Sequence, residues 1–192
     1  MKIEGKLIIG IGYQMGAGKD SIATRLYNTH GFVVIRFADA LKEAASIIFG
    51  WDRESLENLE FKMTVDKFWG ETPRTLLQRM GTEAMRDNVD KQIWVKALER
   101  RILDCGFTKV VIPDMRFKNE VKAIKGWGGY TVKVTRPHFV VPGLKRHSKH
   151  KSEKELDAYR GWNYKIVNDT DLLNLWTKTD VMLYEIEKKH DR

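Results

Sequence analysis

An α/β fold, with a mostly parallel sheet and helices on both of its faces, is expected from three observations. Short apolar runs recur at Lys6–Gly12, Phe32–Phe37, Lys109–Pro113, Tyr130–Thr135 and Tyr164–Val167. Segments with helical spacing of apolar residues separate them, which is how a five-stranded parallel sheet is written in sequence. Gly12, Phe37, Asp114, Thr135 and Asn168 stand at the carboxyl ends of these runs, where ligands of such sheets gather.

Each helix has its own signals. Asp20–His30 carries Ile22, Ala23, Leu26 and Tyr27 on one side, and Gly31 closes it. A second helix, from about Asp39 to Phe49, places Leu41, Ala44, Ala45 and Ile48 on one face. Thr72-Pro73 reads as an N-cap followed by proline at the first helical position, opening a helix to about Arg86. Asp90 caps the next, which carries Ile93, Trp94, Ala97, Leu98, Arg101 and Ile102. From Thr170 onward the chain reads as an amphipathic helix with Leu172, Leu173, Trp176, Val181, Tyr184 and Ile186 as its apolar positions.

The 192 residues fit one domain, 42% hydrophobic and 31% charged, as in ordinary globular proteins. A single cysteine, Cys105, gives neither a disulfide framework nor a thiolate cluster, and a reducing cytoplasm is the simplest setting. Leu7-Ile8-Ile9 is too short for a signal segment, and no apolar run approaches the roughly 18 residues of a membrane span. The net charge of +8 points to phosphate-bearing partners, and much of it lies in Lys145, Arg146, His147, Lys149, His150 and Lys151. Nucleic acid is not the expected partner, because no RNP-like strand, zinc-finger spacing or helix-turn-helix is present. His147 and His150 lack the Cys or carboxylate companions of a zinc site.

The stretch Gly10–Ser21, GIGYQMGAGKDS, lies between the first strand and the first helix. A glycine turn there exposes successive backbone N–H groups at a helix N-terminus and forms a cradle for phosphate. The cradle is expected to run from about Gly16 through Ala17, Gly18, Lys19 and Asp20 to Ser21, with Lys19 reaching the β- and γ-phosphates of ATP. Two residues break the Gly-x-x-x-x-Gly-Lys-Ser/Thr pattern. Tyr13 replaces the first glycine, which a one-residue shift around Gly12 would absorb, and Asp20 replaces the hydroxyl. Three roles stay open there: Asp20 binds Mg²⁺ directly or through water, Ser21 binds it instead, or Asp20 caps the helix.

Several blocks in order make the chain resemble the bacteriophage-type deoxynucleoside monophosphate kinases: GAGKDS (16–21), RFADALKEAASIIFGWD (36–52), TPRTLLQRMGTEAMR (72–86), WVKALERR (94–101), VVIPDMRFKNEV (110–121), VTRP (134–137), HKSE (150–153) and IVND (166–169). Lys-Asp-Ser/Thr after the last loop glycine is itself usual in that group. The resemblance implies a single P-loop NTPase-type three-layer sandwich over 1–192, with a helical acceptor-binding segment at about 38–104 and a basic lid at about 137–152. It implies transfer of the γ-phosphate of ATP, with Mg²⁺, to a deoxynucleoside 5′-monophosphate in the cytoplasm, that of the host if the protein is phage-encoded. A homodimer is compatible with it, and no membrane is involved. The alternative is another P-loop small-molecule kinase, such as a dephospho-coenzyme-A kinase type.

The residues themselves suggest individual roles, and the resemblance places the helix of Arg74 and Gln78 over the acceptor. Lys19 stabilises charge on the transferring group, and Asp114 holds Mg²⁺ through water, orients the acceptor, or caps the following helix. Arg116 clamps the acceptor phosphate or pairs with Glu120. Arg74 holds the acceptor phosphate, Gln78 reads the base edge and Thr82 continues that face, with Gly81 admitting a flat ring. Asp39 and Lys42 form the opposite wall, Asp39 being equally an N-cap. Trp69 and Trp94 are stacking candidates against a competing role in core packing. Arg136 and Arg146 reach ATP from the basic insert, and Asn168 meets the adenine or simply makes a turn.

Overall fold

The computed structural model describes residues 2–137 and 154–190. Its strands are β1 (Leu7–Tyr13), β2 (Val33–Val34), β3 (Lys109–Met115), β4 (Tyr130–Thr135) and β5 (Tyr164–Val167). Its helices are α1 (Lys19–His30), α2 (Ala38–Phe49), α3 (Leu59–Met63), α4 (Pro73–Gln78), α5 (Ile93–Asp104), α6 (Lys118–Gly126) and α7 (Leu172–His190). The five strands form one sheet in the order β2-β3-β1-β4-β5, and every pair is parallel. This is the architecture of the P-loop NTPase sandwich. The chain divides into two compact units, Met1–Arg36 with Ile102–Arg192, and Phe37–Arg101.

In the sheet-bearing unit, β1 is central and apolar on both faces, as a strand covered on both sides must be. Ile9 and Ile11 join Val111, Val132 and Val134 in a core closed by Ile22, Ala23 and Leu26 of α1 and by Leu175, Met182, Leu183 and Ile186 of α7. On the other face Gly12 leaves room for Met115 and Trp162. A Cβ there would lie 2.9 Å from the Met115 carbonyl and 3.1 Å from the Trp162 ring.

Strand β3 runs beyond its expected end at Pro113. Between Gly10↔Ile112 and Gly12↔Met115, β1 advances two residues while β3 advances three. Proline offers no N–H to the ladder, so the extra residue is accommodated as a bulge beside it. Asp114 sits in that bulge, half-buried between fully covered neighbours.

Other boundaries moved for identifiable reasons. The expected strand Phe32–Phe37 shortens to Val33–Val34, an edge strand with one further bond from the Ile35 amide to the Val111 carbonyl at 3.1 Å. Helix α2 starts at Ala38 with Phe37 as its N-cap, so Asp39 lies in the first turn and is not the cap. The helix opened by Thr72 and Pro73 is α-helical only to Gln78, and from Arg79 to Arg86 it runs in wider π-type turns. Gly81 lies within that stretch. Its carbonyl accepts the indole N–H of Trp94 at 2.8 Å. The turn at Ser55–Glu57 and the helix α3 were not among the expected elements, and the helix weighed after Asp114 begins at Lys118.

Candidate active site

The phosphate loop is built by backbone conformation and then fastened from three sides. Gly16 (φ 69°) and Gly18 (φ 99°) take the left-handed conformations that glycine adopts without cost. Gly18 is also the N-cap of α1, and Lys19 opens the helix. The Lys19 ammonium donates to the Gln14 carbonyl at 2.6 Å, folded back across the loop. The Gln14 side chain in turn accepts the Arg136 amide at 3.0 Å, joining the loop to the end of β4. From beneath, the buried Asn168 amide donates to the Ala17 carbonyl at 3.0 Å, while its own backbone N–H is held by Thr135 at 2.8 Å. The Asn168 side chain is thus an internal clamp on the loop.

Tyr13 is the residue that departs most from its expectation. A one-residue shift around Gly12 does not occur: Gly12 remains in β1, paired with Met115 and Lys133. Tyr13 itself adopts φ 92°, the only positive value at a non-glycine among the described residues. Such a conformation costs a bulky residue on the order of 1–3 kcal/mol. Against that cost stands the Lys133 ammonium, 3.9 Å from the Tyr13 ring centroid. A cation–π contact of this kind is worth about 0.5–2 kcal/mol, of the same order as the strain. Partial burial pushes the Lys133 ammonium below its ordinary pKa, and the charges of Arg160 and Lys165 add to that.

Asp20 is exposed, makes no cap hydrogen bond, and pairs with Arg36 at 3.3 Å. The cap reading of Asp20 is thus set aside. At the end of β3 the segment after Asp114 is organised by Glu120. Its buried carboxylate accepts the backbone N–H of Arg116 at 2.7 Å and of Phe117 at 3.0 Å. Phe117 precedes α6 as its N-cap, so Asp114 does not cap that helix. Glu120 closes the turn through the Arg116 backbone, a contact different from the side-chain pair expected.

In the unit Phe37–Arg101, Lys42 and Asp39 belong to one charge network. The Lys42 ammonium donates to Glu57 at 2.6 Å, Arg53 donates to the other Glu57 oxygen at 2.6 Å, and Arg53 also reaches Asp39 at 3.2 Å. Burial pushes the Glu57 carboxyl up, but hydrogen bonds and charge from Lys42 and Arg53 outweigh it and hold the group at about 2. Trp94 is buried against Gly81, the packing role weighed for it. Trp69 is partly exposed, donates its indole N–H to the Phe49 carbonyl at 3.1 Å, and meets Phe49 edge-on at 5.1 Å. Beside Gly81 the Leu41 side chain lies 2.7 Å from where a Cβ would stand, so the glycine gives room to a side chain of α2.

Lys19, Gly16, Ala17, Gly18, Asn168 and Arg136 are therefore brought together at one end of the sheet, and Asp20 and Ser21 follow in the first turn of α1. Arg74 and Gln78 lie half-buried on α4, and Thr82 is buried one turn further on. Arg146 and the other basic residues of 145–151 lie outside the described residues, as does nearly all of the expected lid. Sequence reading missed Gln14, Arg36, Arg53, Glu57, Lys133 and Arg86. Arg86 is buried, and it continues the Arg74, Gln78, Thr82 spacing by one more step of four. That spacing was the available signal.

Comparison with known proteins agrees with this geometry. The family model described as deoxynucleotide monophosphate kinase matches residues 72–179. A protein of Acanthamoeba polyphaga mimivirus, provisionally named a deoxynucleotide monophosphate kinase, is 31% identical over 90% of this chain and 93% of its own. The deoxynucleotide monophosphate kinase of Enterobacteria phage T4 is 29% identical over 76% of this chain, and the match spans 56% of the phage protein. Among solved structures, shikimate kinase from Aquifex aeolicus superposes with a TM-score of 0.53 at 13% identity, covering 93% of this chain and 97% of that one. Dephospho-CoA kinase from Campylobacter jejuni gives 0.50 at 14%, covering 95% and 98%. At those identities the likeness is one of fold.

Proposed function

The chain belongs to the deoxynucleotide monophosphate kinase family, and on that premise we propose that it transfers the γ-phosphate of ATP to a deoxynucleoside 5′-monophosphate. The observation that carries the reading is the placement of Lys19. It opens α1 directly behind a loop with two left-handed glycines, the kind of turn from which successive backbone N–H groups are offered to phosphate.

The donor phosphates settle on the loop amides and the N-terminus of α1. Lys19 then exchanges the Gln14 carbonyl for phosphate oxygen, so its charge is held close to where it is needed. One oxygen of the acceptor phosphate forms a bond to the γ-phosphorus as the bond to the bridging oxygen of ADP breaks. A phosphate acceptor is largely deprotonated near neutral pH, so no general base has to remove a proton from it. Catalysis is then positioning and charge stabilisation, the work suited to Lys19, Arg116 and Arg136.

Mg²⁺ bound with the nucleotide would supply charge neutralisation at the phosphates. Such an ion takes one or two protein oxygens and keeps the rest for phosphate and water. The Ser21 hydroxyl in the first turn of α1 and the Asp114 carboxylate on the β3 bulge are donors of that kind. Asp20 serves only by leaving Arg36.

On the acceptor side, Arg74 holds the phosphate, and Gln78 and Thr82 face the base. Trp69 borders the ring, and Asp39 and Lys42 shape the wall through their network with Arg53 and Glu57. The reaction draws on nucleotide pools, so a cytoplasmic setting goes with it, as a homodimer does with the family reading.

The test is a coupled ADP-release assay with the four deoxynucleoside monophosphates and with dephospho-coenzyme A. ADP release with at least one deoxynucleotide, abolished in Lys19→Ala, is the expected result. Silence with all four, or turnover with dephospho-coenzyme A alone, would sink the proposal.

A further inference from the structure

We propose that Tyr13 is a nucleotide-positioning residue: its ring, stapled to Lys133, fixes the turn that presents Gln14 to Lys19. The proposal rests on the reading of the loop as the ATP site.

Alternation along β1 sends Ile9 and Ile11 into the core beside α1, and residue 13 would follow them. The Tyr13 ring lies instead on Lys133, whose neighbours Val132 and Val134 both belong to that core. Lys133 therefore points to the opposite face, and the positive φ of Tyr13 is what carries the ring there. The residues on either side are anchored. Gly12 is wedged against Met115 and Trp162, and Gln14 is bound through its carbonyl to Lys19 and through its side chain to the Arg136 amide.

A glycine at position 13 would take the same φ without strain but would leave the turn free to swing about it. The tyrosine gives up that ease and pins the turn through its ring. A loop already held in its binding geometry loses less conformational freedom when the nucleotide arrives, which raises affinity without any added contact to the ligand.

Three single variants, one double variant and two measurements decide the matter: direct titration with a fluorescent ATP analogue, and the thermal midpoint without nucleotide. Tyr13→Gly is expected to bind about tenfold more weakly, the order of the backbone freedom of one residue that would then be lost on binding. Its thermal midpoint should stay level or rise, because the strain has gone. Tyr13→Phe keeps the ring and should restore most of the affinity. Lys133→Met should weaken binding to a similar degree, and combining it with Tyr13→Gly should add little.

Unchanged ATP affinity in Tyr13→Gly, additive losses in the double variant, or a fall in midpoint matching the fall in affinity would each overturn the proposal. Binding is read without an acceptor. ATP binding by the wild type without turnover of any deoxynucleotide would therefore defeat the acceptor assignment and leave this proposal standing on its own data.

Discussion

Asn168 donates its side-chain amide to the Ala17 carbonyl at 3.0 Å, joining the end of the last strand to the floor of the phosphate loop across 151 residues of sequence. Both partners are buried, so the bond has no water to replace it. Asn168→Leu should cost about 1–3 kcal/mol of stability through the orphaned carbonyl. It should also weaken ATP binding more than acceptor binding, because the loop alone loses its support. Urea denaturation and separate titrations with the two nucleotides check this; an equal loss for both nucleotides would refute it.

Gly12 is held by contact and not by conformation, since its φ lies outside the left-handed region. A Cβ would meet the Met115 backbone carbonyl at 2.9 Å, an atom that cannot swing aside as a side-chain end can. Gly12→Ala should therefore destabilise by about 1–3 kcal/mol, the usual cost of overpacking. A lowered thermal midpoint is the expected reading, and wild-type stability would show that β1 and β3 separate without cost.

Glu57 makes the network of Lys42, Arg53 and Asp39 sensitive to acid. Its folded pKa of about 2 lies below the ordinary 4.5. A carboxyl with a depressed folded pKa contributes stability that is complete above its unfolded value and is lost as pH falls toward the folded one. The window therefore runs from about pH 4.5 down to about 2. Glu57→Gln should be less stable at neutral pH and show a shallower loss across that window. Parallel stability curves for the two proteins below pH 5 would show that Lys42 and Arg53 do not hold the carboxylate as described.

Glu120 organises the turn that carries Arg116. Removing its buried carboxylate orphans two backbone amides, and Glu120→Ala should cost about 2–4 kcal/mol. If Arg116 serves the transferring phosphate, kcat should fall by more than the folded fraction does. Activity normalised to folded protein, measured at low temperature, tests this, and full normalised activity would confine Glu120 to stability.

By itself the sequence determined the order of the elements, since strand and helix leave periods of two and 3.6 in the apolar residues wherever a face is buried. β4 and β5 begin and end as their runs predicted, and the sheet is parallel throughout. The position of Lys19 was likewise legible, because a glycine turn before a helix is a local event. The π-type turns at Arg79–Arg86 were not, for the residue spacing there reads as an ordinary helix. Nor were the fates of Asp39, Lys42 and Asn168, whose side chains are taken by Arg53, Glu57 and Ala17.

Tyr13 marks the boundary between the two kinds of information most sharply. As a letter it breaks a glycine pattern. Only the tertiary structure decided that the chain keeps the glycine's conformation there, because the Lys133 charge beneath the ring offsets the strain.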